Sequence, residues 1–197
     1  MLLPVRALTT IAGLAVACAA AGEAERGWTA GAYAFSDELG GFRITGATGT
    51  GTRDDPVVLD QELFSASAVT MVIRAVRPTR PHGMPGRDPT GMIHLRLRTL
   101  NNSGIAWTEV EFELQEQLGR PSTHGDGLSF DQRRSEDDNR SSDRFAIHDT
   151  DFDPYDRIVF REGTVDPLQE AGFSMFITDF TPKLEFYLRQ DPRTPVS

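Results

Sequence analysis

Apolar and polar residues alternate with a period of two along two neighbouring stretches in the middle of the chain. Residues 93–98 alternate isoleucine or leucine with basic side chains, and residues 109–114 alternate glutamate with apolar side chains. This period is typical of β-strands that bury one face. Residues 101–104 (NNSG) between them tolerate positive φ angles or close Asx turns. The pattern therefore predicts a long β-hairpin over residues 92–115.

The same alternation predicts the register of this hairpin. When the apolar rows face each other, Arg96 lies opposite Glu109 and Arg98 lies opposite Trp107, whereas a slip of one residue would place the apolar row against glutamates. Opposite-charge pairs across strands each contribute about 0.2–1 kcal/mol. We interpret these charges as a solvated outer face. The alternative is a ligand platform in which Arg98 covers Trp107 through a cation–π contact.

Further short apolar runs predict strands along residues 41–190. The runs at 67–76 and 171–179 are the most continuously apolar, which predicts strands with both faces buried. Five Asp-Pro pairs fall between the runs, and each marks a strand boundary because the residue before proline avoids helical space. About eight to ten short strands without an amphipathic helix predict an all-β chain, a single antiparallel β-sandwich of immunoglobulin-like type. Residues 22–40 are predicted to form a loose lead-in, with one edge strand as the alternative, and residues 191–197 a polar tail.

The first 21 residues have the pattern of a secretory signal peptide. Arg6 precedes a short apolar run that ends in three alanines, with cleavage expected after Ala21 or, alternatively, after Ala24. The run is too short to span a bilayer. Residues 15–18 (AVAC) resemble a degenerate lipobox. The chain is therefore predicted to be secreted or periplasmic in bacteria, and the alternative is a lipoprotein anchored through Cys18.

The balance of charges limits the classes of partner that are expected. The chain carries 29 acidic and 20 basic residues, a net charge of −9, and loss of Arg6 with the leader makes the remainder more negative. Nucleic acids and anionic membranes need basic patches, so neither is expected as a partner. The mature chain shows no second hydrophobic span, so no transmembrane span is expected in it. The expected partner is an envelope or extracellular protein or a glycan.

An acidic stretch near residue 150 is the best metal candidate in the sequence. Its acidic residues are Asp149, Asp151, Asp153 and Asp156. The first three occupy positions one, three and five of an EF-hand loop, where carboxylates serve as hard ligands for Ca²⁺. The sixth position is Pro154 instead of glycine, and the twelfth is Phe160 instead of glutamate. The hypothesis that remains is a looser calcium site shared with Asp126, and the alternative is a solvated acidic turn.

Two polar loops, residues 77–91 and 119–143, are predicted to carry ligand contacts, because surface loops on a rigid scaffold usually hold binding residues. His82 in the first loop and Tyr155 beside the acidic stretch join Trp107 and Arg98 as candidate ligand-binding residues. No other cofactor than calcium is indicated.

Catalytic motifs are missing from the sequence. It contains no His-Glu-x-x-His, no Gly-x-Ser-x-Gly and no cysteine nucleophile. Three glutamates at 109, 111 and 113 share one strand face, yet the paired acids of a glycosidase must flank a substrate groove. Basic residues opposite them favour salt bridges instead. The chain is therefore not expected to be an enzyme.

One family resemblance covers residues 92–190. It is carried by Asn102-Ser103-Gly104, Trp107-Thr108, Glu113-Leu114, Asp126-Gly127, Phe130, Asp166-Pro167, Phe173 and Ile177-Thr178-Asp179. This order resembles the β-sandwich domains of exported bacterial proteins of the PEP-CTERM type. The resemblance implies an exported antiparallel sandwich and carries over no catalytic residue. Residues 192–197 depart from it, because they hold neither a Val-Pro-Glu-Pro motif nor a hydrophobic span with a basic stop.

Together these patterns predict a non-catalytic exported or envelope module for binding or structure. The alternative is a calcium-stabilised carbohydrate-binding module, and a hydrolase is the least favoured reading.

Overall fold

The computed structural model describes residues 27–123, 125–130, 139–150 and 152–194. The predicted signal peptide, Cys18 and Asp151 lie outside the described residues. The described part is nearly all β and contains no α-helix. None of it forms a helix with the length and apolarity needed to cross a membrane.

Thirteen strands are found in the described residues. They are β1 (Gly27–Ala30), β2 (Tyr33–Ser36), β3 (Phe42–Thr48), β4 (Val57–Leu63), β5 (Val69–Ala75), β6 (Gly91–Asn101), β7 (Glu109–Gln115), β8 (Leu128–Phe130), β9 (Ser141–Ser142), β10 (Phe145–Asp149), β11 (Arg157–Gly163), β12 (Glu170–Asp179) and β13 (Glu185–Arg193).

The strands form two sheets. Sheet A has the order β1-β2-β5-β13-β7-β11-β10, and sheet B has the order β3-β4-β6-β12-β8, with β9 also paired to β12. Among these strands β4 and β6 pair in parallel, whereas the other strand pairs of the described residues are antiparallel, so the antiparallel prediction is wrong for this one pair. The physical reason is the path of the chain: it leaves sheet B after β4, forms β5 in sheet A, and returns to sheet B in its original direction.

The predicted hairpin is wrong in its pairing. The strands and the turn lie where the alternation placed them, and Gly104 has a φ of 79°. However, β6 lies between β4 and β12 in sheet B, while β7 lies between β13 and β11 in sheet A. Arg96 therefore faces Ser174 instead of Glu109. Alternation marks the buried face of each strand, whereas tertiary packing selects the neighbour.

Side chains from the two sheets meet in one apolar cluster. The ring of Phe173 in sheet B contacts two rings of sheet A, with centroid distances of 5.0 Å to Phe112 and 5.2 Å to Phe160. A polar pair also joins the sheets, since Gln61 Nε2 in β4 donates to Gln190 Oε1 in β13 at 2.6 Å. Burial of each aromatic side chain contributes about 1.5–3 kcal/mol to stability.

Trp107 lies in the connection between β6 and β7, where the chain crosses from sheet B to sheet A. Its side chain is 0% exposed, and its Nε1 donates to Ser103 Oγ at 3.1 Å. The Asn101 side chain donates to the carbonyl oxygens of Ile105 and Val165, each at 2.9 Å. The polar groups at this crossing thus have partners inside the protein, as buried groups require.

Both predicted chain ends are more ordered than expected. β1 and β2 form an antiparallel edge of sheet A, and Tyr33 and Phe35 are buried, so residues 27–36 follow the edge-strand alternative, with two strands in place of one. β13 continues to Arg193, beyond the predicted boundary at residue 190, because residues 191–193 pair with β7.

Candidate functional site: an ion-pair groove on sheet A

A groove of about 500 Å³ lies on the face of sheet A that points away from the apolar cluster. It arises from alternation along β7 and β13, since every second side chain points to this face. We call it the ion-pair groove. Its charged lining residues are Glu111, Glu113, Asp191, Arg157, Arg189 and Arg193.

Glu111 lies in the centre of the groove and is 3% exposed. Its carboxylate accepts a hydrogen bond from Arg189 Nη1 at 3.2 Å and another from Arg193 Nη2. The register of β7 and β13 places Asp191 directly opposite Glu111, so the two arginines reach it from the neighbouring positions of β13. Arg189 also donates to Asp191 at 2.8 Å.

Glu113 is the second buried carboxylate, also 3% exposed. Arg157 Nε donates to its Oε2 at 2.6 Å, and Gln115 Nε2 donates to its Oε1 at 2.8 Å. Gln115 Oε1 in turn accepts from the backbone N–H of Gly119 at 2.8 Å, which ties residues 118–121 to the rim. Arg157 lies over the ring of Tyr155 at 5.1 Å.

The charges of the groove balance. Its lining contains three arginines and three carboxylates, and buried charges are tolerated where each has an opposite partner with hydrogen bonds. The surface therefore offers hydrogen-bond donors and acceptors side by side without a net charge. Such a surface suits an uncharged ligand with several hydroxyl groups better than an ion.

The glutamates form the salt bridges expected from sequence, but with other partners. The predicted partners on β6 are in the other sheet, and the observed arginines come from β11 and β13. Glu111 and Glu113 lie side by side on one strand, each bound to arginine, whereas the acids of a glycosidase flank the scissile bond. This arrangement fits an ion-pair network rather than an acid–base pair.

The predicted platform of Arg98 over Trp107 does not form. Trp107 is fully buried at the crossing between the sheets. Arg98 is on β6 in sheet B, where its Nε lies 2.8 Å from Asp60 Oδ1. The platform depended on the hairpin register, which the structure replaces with two separate sheets.

The other two candidate ligand residues are exposed. Tyr155 is 42% exposed and borders the ion-pair groove through its contact with Arg157. The ring of His82 lies 5.8 Å from that of Phe180 in an edge arrangement. Their role in ligand binding stays a prediction.

The predicted calcium ligands have varied surroundings. Asp149 Oδ2 lies 3.5 Å from Arg161 Nη1, and Asp153 is exposed. Asp156 is buried and accepts a hydrogen bond from the Ser129 hydroxyl.

Asp126, the further candidate, closes its own turn by accepting from Ser122 Oγ at 2.6 Å and from the N–H of Thr123 at 2.9 Å. Within the described residues, no three or more His, Cys, Asp or Glu side chains form a group that could hold a metal ion. Asp151 lies outside these residues, so the calcium site stays a prediction.

Another ion-pair cluster lies on the same face, outside the groove. Arg74 donates to both oxygens of Glu38 at 2.7 Å and to Glu185 at 2.6 Å. The hydrogen bonds from Arg74, and next the one from Ser36, lower the pKa of Glu38 to about 2. A hydrogen bond to Glu185, with burial second, raises the pKa of Tyr187.

Sequence reasoning missed the arginines of the groove. Arg189, Asp191 and Arg193 continue the alternation of β13, but Asp191-Pro192 suggested that the strand ends there. Pro192 pairs opposite Val110 within the strand. The period of two, followed through the proline, was the signal that could have found them.

Comparisons with family models, curated proteins and solved structures found no match for this chain. The resemblance to PEP-CTERM-type sandwich domains therefore stays a prediction.

Proposed function

We propose that the chain is a non-catalytic exported binding module whose ligand site is the ion-pair groove. The leader pattern at residues 1–21 supports export to the periplasm or the medium, or anchoring through Cys18. The apolar cluster shared by the two sheets supports a β-sandwich as the architecture that presents the groove.

One observation carries this proposal: a concave polar surface of about 500 Å³ on the central strands of sheet A. Small-ligand sites are usually preformed clefts of about 300–1,000 Å³. Glu111 and Glu113 are locked by arginines on neighbouring strands, so the site is rigid before a ligand arrives. Rigid sites lose little entropy on binding.

The ligand class proposed is an uncharged saccharide. Its hydroxyl groups both donate and accept, which matches arginines and carboxylates that alternate across the groove. An anion would meet the carboxylates, and a cation would meet the arginines, so the balanced lining disfavours both. This class agrees with the glycan named among the partners predicted from the sequence.

The test is binding of the full chain to arrayed neutral and uronic-acid oligosaccharides, followed by calorimetric titration of the hits. We expect neutral sugars to bind and Arg193→Gln to weaken binding at least tenfold, because Arg193 lines the rim of the groove. The matched control is Arg98→Gln, which breaks an exposed ion pair in sheet B and should leave the affinity unchanged.

Two results would contradict the proposal: no oligosaccharide binds at millimolar concentration, or both variants weaken binding equally. A preference for uronic acids would refute the neutral ligand class. The titration is repeated in EDTA, and a loss of binding there would favour the calcium-stabilised alternative.

A further inference from the structure

A second cleft, of about 520 Å³, lies between β9 of sheet B and β10 at the edge of sheet A. We call it the Arg140 cleft. It is lined by Arg140, which precedes β9, and by residues of β9, β10 and β11, among them Ser141, Ser142, Phe145, Ile147, His148 and Phe160. None of these lines the ion-pair groove.

Arg140 is the unusual member of this lining. It is only 9% exposed, and within the described residues its buried Nε has no hydrogen-bond partner. A buried donor without a partner is destabilising, and more so when the group is charged. Each arginine of the ion-pair groove, by contrast, contacts a carboxylate. The Arg140 Nε is thus a donor that the described parts of the protein do not use.

The walls around Arg140 are part polar and part apolar, and the apolar part includes Phe145 and Ile147. Phe145 is buried and stacks on Phe173 with ring centroids 6.0 Å apart. The ring of His148 lies 6.2 Å from that of Phe160, and Ile147 is exposed at the edge strand. A ligand in this cleft would meet a cation, two serine hydroxyls and an aromatic wall.

We propose that the Arg140 cleft binds a small carboxylic acid with an apolar body. The carboxylate pairs with the guanidinium, whose planar donors match it through charge-assisted hydrogen bonds. The apolar body lies against Phe145 and Ile147. The proposal goes beyond the saccharide site, because it rests on separate residues and stands whether or not the groove binds sugar.

The experiment titrates the full chain with four probes: 3-phenylpropionate, its uncharged amide, acetate and inorganic phosphate. Calorimetry gives the affinity. We expect 3-phenylpropionate to bind at least tenfold more tightly than the amide, which lacks the charge, and than acetate and phosphate, which lack the apolar body. Equal binding of the acid and its amide would overturn the role of Arg140. Equal binding of phosphate would overturn the role of the apolar wall.

Variants locate the site. Arg140→Met should reduce affinity for 3-phenylpropionate at least tenfold, while Arg140→Lys, which keeps the charge, should retain part of it. The matched control is Arg144→Met, since Arg144 is exposed and donates to the backbone of Glu170; it removes the same charge and should leave the affinity unchanged. Unaltered affinity in Arg140→Met, or no saturable binding of 3-phenylpropionate at millimolar concentration, refutes the proposal. If Arg140→Met does not fold, the acid and amide titrations of the unaltered chain decide the question.

Discussion

The ion-pair groove and the Arg140 cleft are nearly equal in volume, about 500 and 520 Å³. They differ in whether their arginines have hydrogen-bond partners. In the groove, three arginines are matched by three carboxylates. In the cleft, a buried arginine keeps an Nε without a hydrogen-bond partner in the described residues. The comparison teaches that the volume of a cleft says little about its ligand. The hydrogen-bonding groups of the lining that have no partner indicate the charge of the ligand.

The difference follows from position in the sheets. The groove lies over β7 and β13, which have strands on both sides, so the register supplies an acid or a base beside each charged residue. Arg140 precedes β9, a strand of two residues, and faces β10 at the edge of sheet A. A sheet edge has a neighbour on one side only, so fewer side chains of the described residues can reach Arg140.

The largest effect is expected from Arg157→Met, which leaves the buried Glu113 carboxylate with Gln115 as its remaining described partner. Removal of one member of a buried ion pair costs about 3–5 kcal/mol. Urea unfolding followed by tryptophan fluorescence measures the loss. The double variant Glu113→Met/Arg157→Met should recover most of it, because no buried charge then stays unpaired. A loss below about 1 kcal/mol in the single variant would show that the groove pairs are not desolvated.

Arg140→Met should raise the free energy of unfolding in the same urea assay, whereas Arg157→Met should lower it. It removes a buried charged group with an unpartnered donor, so without added anion we expect a gain in unfolding free energy of about 1–2 kcal/mol. Arg98→Met, at an exposed pair with Asp60, serves as the reference and should change stability by less than about 1 kcal/mol. A clear destabilisation by Arg140→Met would mean that this arginine is already paired, and the contrast between the two clefts would fail.

Tyr33 shows that an unpartnered buried polar group does not by itself make a ligand site. Its hydroxyl is buried without a hydrogen-bond partner in the described residues, and burial, with Asp179 second, raises the pKa of Tyr33. The cavity it lines is only about 20 Å³, which is room for about one water. Tyr33→Phe should therefore raise stability by about 1 kcal/mol or less and leave both proposed ligand affinities intact. A loss above about 1 kcal/mol in thermal unfolding would show that the hydroxyl has a partner that stabilises the fold.

The smallest effect concerns the exposed pair of Glu38 and Arg74. The pKa of Glu38 is about 2 in the folded protein against 4.5 as its ordinary value, so its contribution is present above pH 4.5 and is lost as the pH falls towards 2. Solvent screens this exposed pair, so we expect Glu38→Gln to cost less than about 1 kcal/mol at pH 7. Unfolding of both forms between pH 2 and 7 should show the two stability curves converging at low pH. A difference that stays constant across this range would contradict the assignment.

Much of the local structure could be predicted. The alternation at 93–98 and 109–114 correctly placed β6 and β7, and four of the five Asp-Pro pairs lie between strands, whereas Asp191-Pro192 lies within β13. The glutamates of β7 were recognised as members of ion pairs. Their partners were not, because Arg157 and Arg189 are 44 and 78 residues away from the glutamates they contact.

The Arg140 cleft left no signal of its own in the sequence. Arg140 lies in residues 119–143, one of the two polar loops predicted to carry ligand contacts. This stretch contributes Gly119 and Pro121 to the groove and Arg140 to the cleft. Burial of an arginine depends on what packs around it, and composition does not record that.

The amino-acid sequence by itself determined where most strands of residues 41–190 lie and which face of each is buried, because alternation is a property of one strand and its solvent. Only the tertiary structure decided which strands are neighbours. Backbone hydrogen bonds are alike in every strand, so they do not determine which strands pair. The strand pairing follows from burying all the apolar faces together. As a result, β6 and β7 lie in different sheets and Trp107 is buried between them. The arginines of β11 and β13 then contact Glu111 and Glu113.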